Sequence, residues 1–340
     1  MKNLLSRDIF REGVFARDHH KCVMCSSPAQ DAHHILERRL FADGGYYLDN
    51  GASVCGPCHL RCEETLITPE ELRNRIGITT PVIPPQLYGD REYDKWGNEV
   101  LPDGRRLRGE LFNDESVRKI LQAGGVLDRF VKYVGYGRTS HLPFSESVSA
   151  DDRYISRMDI LQNNKIVISE KRDGSNMSVY NDYVHMRSVT TCSHDFLARA
   201  KAEVSRWQYE VPEWWRVCGE NLNVRHSIHY NDLKTWFEGF SIWNDQNFCL
   251  DYDETLEWFA LLGVNPVPEL YRGAYDQKVI DSLIKRPREK HEGFVIRTVK
   301  GFSFQDFRTH VGKYVRPNHN HCHFGSRINT TFETNDLMGE

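Results

Sequence analysis

Residues 165–170 read Lys-Ile-Val-Ile-Ser-Glu, a β-branched apolar run, and Asp173-Gly174 closes it shortly afterwards. This pattern predicts a strand that ends in a turn and delivers Lys171 at its edge, with the next strand over 177–180. Residues 114–131 have helical spacing, at Val117, Ile120 and Leu121 and, beyond Gly124-Gly125, at Leu127 and Phe130, while 68–75 carries a short polar helical pattern. Residues 96–106 predict two short strands around Pro102-Asp103-Gly104. Thr80-Pro81-Val82-Ile83-Pro84-Pro85 is a proline-rich break that reads as a linker. The expected class is α+β, with a small domain over 1–80, a linker and lead-in over 81–130, and a larger domain over 131–340.

Composition narrows this picture. At 340 residues, with 39% hydrophobic and 27% charged positions, the chain has room for two globular domains. No apolar run reaches membrane-spanning length, and residues 1–14 are interrupted by Lys2, Arg7, Asp8, Arg11 and Glu12, so neither a leader nor an anchor is expected and the expected location is cytoplasmic. A net charge of −4 argues against indiscriminate polyanion binding, yet a local basic groove for nucleic acid is compatible with it. The sequence does not indicate an oligomeric state.

The nine cysteines are unevenly spread. Cys22-x-x-Cys25 and Cys55-x-x-Cys58 form two knuckles, a spacing that supplies four thiolates to a structural Zn²⁺. Between and after them stand Asp31-Ala32-His33-His34-Ile35, Asp49-Asn50 and His59. This arrangement over 15–65 resembles the HNH endonuclease family, which implies a ββα-metal fold. By that resemblance His34 is the general base, His33 and His59 hold a catalytic divalent ion, and Asn50 either fixes the loop or contacts the ion. A neutral imidazole suits proton abstraction near pH 7, and a divalent ion suits charge build-up on phosphate. The alternative is a module that only grips nucleic acid. His19 and His20 read as surface residues or phosphate contacts.

Lys171-Arg172-Asp173-Gly174 is a Lys-x-Asp-Gly turn, followed in order by Arg187, Gly219-Glu220, Phe240, Glu292-Gly293 and Lys313. The series resembles the covalent nucleotidyltransferases of the ATP-dependent ligase and mRNA-capping superfamily, and its RNA ligase branch in particular. That resemblance implies that Lys171 takes AMP from ATP with Mg²⁺ or Mn²⁺, that Glu170 reads the adenine amino group, and that Arg187 contacts phosphate or ribose. It further implies that Glu220 touches the sugar or a metal, Phe240 stacks on the purine, Glu292 is a metal-side or phosphate-side carboxylate, and Lys313 meets the α-phosphate. Ser241 stands where the family usually has Asp, and the usual second lysine near Lys313 is replaced by Arg316 at another spacing.

The lead-in 132–143, with Arg138 and His141 and ending toward Asp151-Asp152, resembles that of bacterial and phage RNA ligases, without an assigned role. Segment 225–230 resembles the same branch, also without a role. Only 24 residues follow Arg316, so no C-terminal oligonucleotide-fold domain is expected. The tail residues His319, His321, Cys322 and His323 offer a weaker second metal site. The expected function is an ATP-dependent ligase joining 5′-phosphate to 3′-hydroxyl ends, RNA before DNA, with an attached metal-dependent HNH nuclease. The rival is a nuclease-centred repair or defence protein with an end-modifying transferase.

Overall fold

The computed structural model describes residues 3–148, 152–190, 197–287, 291–317 and 333–339. It divides into two compact units, Met1–Lys132 and Tyr133–Glu340.

In the first unit, α1 (Arg7–Arg17) is capped by the Ser6 hydroxyl and buries Phe10 and Val14. It lies against an antiparallel pair, β1 (Asp31–His34) and β2 (Gly51–Val54). Gly51 is needed there, because a Cβ at that position would sit 2.4 Å from Val14. Helix α2 (Gly56–Glu63) begins straight after Cys55, with proline in its first turn. Helix α3 (Pro69–Ile76) starts at a Thr68/Glu71 capping box and stops at Gly77. Next come β3 (Glu92–Tyr93), β4 (Glu99–Val100) and β5 (Arg106–Leu107), which form a three-stranded sheet. Helix α4 (Glu115–Ala123) is capped by Asp114. It ends at the glycine pair, short of the spacing that had suggested a helix to residue 131.

The stretch expected as linker and lead-in is therefore built structure. Tyr93 joins a core with Leu36, Leu40 and Phe41, and Trp96, Phe112, Val117 and Leu121 form another. The buried Trp96 donates its Nε1–H to Glu63 O at 2.8 Å. The prolines at 81, 84 and 85 break regular structure, but the aromatic residues after them supply enough apolar surface to pack.

The second unit opens with β6 (Ser140–His141), α5 (Met158–Gln162), β7 (Lys165–Lys171), β8 (Ser175–Val179) and β9 (Val184–Met186). Then follow α6 (Ala198–Val204), β10 (Arg216–Asn221), β11 (Phe237–Trp243), β12 (Phe248–Cys249), α7 (Tyr252–Leu262), β13 (Asn265–Pro266), β14 (Glu269–Ala274) and α8 (Gln277–Ile284). The last elements are β15 (Gly293–Thr298), β16 (Phe302–Ser303), α9 (Phe307–His310) and β17 (Val311–Val315). One sheet has the order β14-β7-β15-β17-β6, the other β16-β12-β11-β10-β8-β9 with β13 beside β11. Pairing is antiparallel apart from β17 with β6 and β11 with β13.

Alternation along the strands decides what each face does. On β7, Ile166 and Ile168 join Phe294, Ile296 and Tyr314 in a core that Leu161 of α5 and Ile280 of α8 complete. Ser169 and Lys171 are on the opposite face, which borders a cavity shared with the second sheet. Val204, Phe259 and Leu262 from α6 and α7 cover the far side of that second sheet. Among the described residues no helix is long and apolar enough to cross a membrane.

Candidate active site

The cavity measures about 450 Å³ and is bordered by Lys171, Arg187, Glu220, Phe240, Arg297 and Lys313, among others. That volume suits a nucleotide. Lys171 ends β7, and the register Lys171↔Gly293 sets it beside Glu292, with Nζ 2.5 Å from Glu292 Oε1. On its other side Gly293 permits the close pairing of β15 with β17, since a Cβ there would lie 2.0 Å from Tyr314 O. Burial alone would depress the Lys171 pKa, but Glu292, Glu220 and Asp173 outweigh it and hold the ammonium above the ordinary lysine value.

Burial also drives the pKa of Glu220 up to about 8, with Glu292 adding to the rise and Lys171 opposing it. Carboxylates that repel one another in this way suit a divalent cation, so the half-buried Glu220 and the buried Glu292 are the residues fitted to hold Mg²⁺ or Mn²⁺. On the other wall Phe240 meets Tyr136 edge to face, with ring centroids 5.1 Å apart. Ser241, in place of the expected Asp, accepts from Trp243 Nε1–H at 3.1 Å.

The turn after Lys171 is anchored on both sides. Arg172 makes a two-pronged pair with Glu238, at 2.6 and 2.9 Å, and lies over the Tyr230 ring. Asp173 Oδ2 accepts from Ser227 N at 2.8 Å, Ser227 Oγ at 2.6 Å and Ile228 N at 2.8 Å, while its own N–H donates to Tyr230 Oη at 3.0 Å. The 225–230 segment, which had no role in the sequence, is thus the cradle of the lysine turn. Asp173→Ala would leave buried donors without an acceptor, and urea denaturation should show a loss of about 3 kcal/mol.

Glu170 also borders the cavity. Strand alternation turns its side chain away from Lys171, and its carboxylate lies 2.9 Å from His291 Nδ1 and 3.2 Å from Arg286 Nη2. The carboxylate ties β7 to the segment before β15.

In the first unit, Cys22, Cys25, Cys55 and Cys58 bring their sulfurs within 4.8 Å of one another. The Cys25–Cys55 separation is 3.6 Å and the Cys25–Cys58 separation 3.8 Å. Four thiolates at about 2.3 Å from a tetrahedral Zn²⁺ would be about 3.8 Å apart, so the set fits zinc. Cys62 is buried too, and burial pushes its thiol up to about 12, which marks a packed, inert side chain.

The antiparallel pair and α2 carry the histidines. His33 is 3% exposed, with Nδ1 3.5 Å from Glu63 Oε1, and His59 Nε2 lies 3.1 Å from the same oxygen. His33, His59 and Glu63 form a second group with metal-ligand geometry. Asn50 is not part of it: its amide donates to Leu36 O and Gly45 O and accepts from Leu36 N. Of its two expected roles, the structure supports fixing the loop. Glu63 went unnoticed in the sequence, although it stands one helical turn after His59. Lys95 was missed as well; its Nζ is 2.8 Å from Glu63 Oε1. His34 stacks on Phe10 at 4.6 Å, and burial, then Lys95 and Arg38, bring its pKa down to about 4. The tail residues His319, His321, Cys322 and His323 lie outside the described residues.

Residues 164–315 match the RNA ligase family model, a span that holds Lys171, Arg187, Glu220, Phe240, Glu292 and Lys313 and falls short of half the chain. No curated protein matches the chain. Among solved structures it is similar to a putative ATP-dependent DNA ligase from Aquifex aeolicus, with 18% identity and TM-score 0.39 over 54% of this chain and 50% of that one. It is also similar to a Naegleria gruberi RNA ligase mutant with ATP and Mn, with 17% identity and TM-score 0.36 over 55% and 60% of the two chains. An archaeal ATP-dependent RNA ligase shows 13% identity and TM-score 0.40 over 76% and 64%. The chain spans from half to under two thirds of the length of these structures.

Proposed function

We propose that the second unit is an ATP-dependent polynucleotide ligase that acts through AMP carried on Lys171, with RNA ends as its preferred substrate. The observation that carries this reading is Lys171 at the edge of a nucleotide-sized cavity, with Glu292 and Glu220 on one side and Lys313 and Arg187 among its lining. Lys171, once its proton is lost, attacks the α-phosphorus of ATP, and the bond to pyrophosphate breaks in line with attack. Lys313 and Arg187 are the cations available for the charge on the transferring phosphoryl group. A divalent ion at Glu220 and Glu292, when bound, would neutralise triphosphate charge. Phe240 and Tyr136 give the base an aromatic wall. AMP then passes to a 5′-phosphate, and a 3′-hydroxyl displaces it to form the phosphodiester. A panel of nicked and single-stranded RNA, DNA and hybrid ends tests the reading: ATP-dependent joining, best with RNA, is expected, and no joining of any end contradicts it.

For the first unit we propose an HNH-type nuclease, with His34 as proton acceptor and His33, His59 and Glu63 as the residues fitted to a divalent ion. Support comes from the strand-strand-helix arrangement that brings His33, His59 and Glu63 together, with His34 adjacent on β1 and Cys58 directly before His59. His34→Ala is expected to lower Mn²⁺-dependent cleavage of plasmid or RNA by about a hundredfold or more; equal cutting by both proteins contradicts the assignment. A binding-only module is favoured by one feature, the Lys95 ammonium already paired to Glu63, and cleavage absent from wild type would select it.

A further inference from the structure

The lead-in before the lysine turn remained without a role, and its side chains converge on Lys313. In the sheet His141 of β6 is directly beside Lys313 of β17. On its other side, His141 N donates to Arg153 O at 2.7 Å and Ile155 N donates to His141 O at 2.8 Å. Three stretches are thereby fixed at one position.

The side chains extend this order. Val315 N–H donates to Ser145 Oγ at 3.0 Å, and the Ser145 hydroxyl, 2.7 Å from His141 Nδ1, can donate to it. With Ser145 donating to Nδ1, the neutral imidazole carries its proton on Nε2, which lies 3.3 Å from Asp152 Oδ2, close enough for an electrostatic contact but not aligned as a hydrogen bond. The other carboxylate oxygen, Oδ1, is 3.6 Å from Lys313 Nζ. His141 is 1% exposed, and burial, then the Lys313 charge, lower its pKa to about 4, so it is neutral near pH 7.

Lys313 needs such a partner. Burial disfavours its charge, and Lys171 and Arg187 repel it, while Asp152 and Glu292 oppose that loss. We propose that Asp152 is a positioning residue that aims Lys313 at the phosphate being transferred, and that Ser145 and His141 hold Asp152 in that orientation. The inference rests on the function proposed above.

The test is single-turnover formation of AMP-labelled protein against ATP concentration, with Mg²⁺, using the full chain and the variants Asp152→Ala, Asp152→Asn, His141→Ala and His141→Gln, with melting temperatures for each. Because the Lys313 contact strengthens as charge moves in the transition state, Asp152→Ala should lower the maximal rate about tenfold or more and leave half-saturating ATP within about twofold. His141→Ala should fall in the same way, and His141→Gln, whose amide N–H can still face Asp152, should regain most of the rate. If Asp152→Ala does not fold, the near-isosteric Asp152→Asn carries the same comparison. Wild-type maximal rates in the Asp152 variants overturn the proposal. Rate losses that simply follow melting temperature, with no rescue by glutamine, overturn it too. If the wild type itself takes no label, the proposed ligase function has failed and this inference falls with it; labelled wild type with unaffected variants sinks this inference alone.

Discussion

Lys171→Ala should reduce attachment of AMP to the protein to background, a loss of at least about a thousandfold, measured as radiolabel retained from α-labelled ATP. Among the described residues, Lys171 is the lysine that ends the strand at the cavity edge and shares the Glu292 pair, while Lys313 is set against Asp152 across the same space. The Glu292 pair also predicts the direction of a pH effect. Burial favours the neutral amine but the surrounding carboxylates win, so Lys171 keeps its proton to a pH above the ordinary lysine range. Label formation from ATP should accordingly rise as pH increases through neutrality and on toward the alkaline side. Folding should survive the substitution, because the strand core rests on Ile166 and Ile168 instead.

Removing the zinc should have an equally large effect on a different observable. Cys22, Cys55, Cys58 and Cys62 join one small core with Ile35, Ala52, Val54, Ile67 and Leu72, and a bound structural zinc contributes folding free energy of about 10–16 kcal/mol in small zinc domains. Metal analysis should find about one tightly held zinc per chain under chelator-washed conditions. Cys55→Ser should lose that zinc and the first unit's cooperative melting transition. AMP attachment to Lys171 should persist, since the cysteines and the cavity belong to separate units. Full zinc-free stability would contradict the assignment of the four cysteines.

Both groups were legible in the sequence because each is written in short spacings. A Cys-x-x-Cys knuckle or a Lys-x-Asp-Gly turn fixes its own local geometry, whatever the rest of the chain does. What stayed hidden is what depends on residues far apart. Glu63 meets His33 across thirty positions, and Lys95 comes from a segment that prolines had made to look like a tether. Asp173 finds its donors at Ser227 and Ile228, a pairing without a periodic signal. The helix expected through residue 131 stopped early because Gly124 and Gly125 weigh more than the apolar positions beyond them.

The most direct measurement of the central claim is mass spectrometry of the full chain after incubation with ATP and Mg²⁺, followed by peptide mapping. The expected result is a mass gain of one AMP, located on Lys171 and discharged when a 5′-phosphorylated RNA strand is added. An unmodified chain, or AMP found on any other residue, would contradict it.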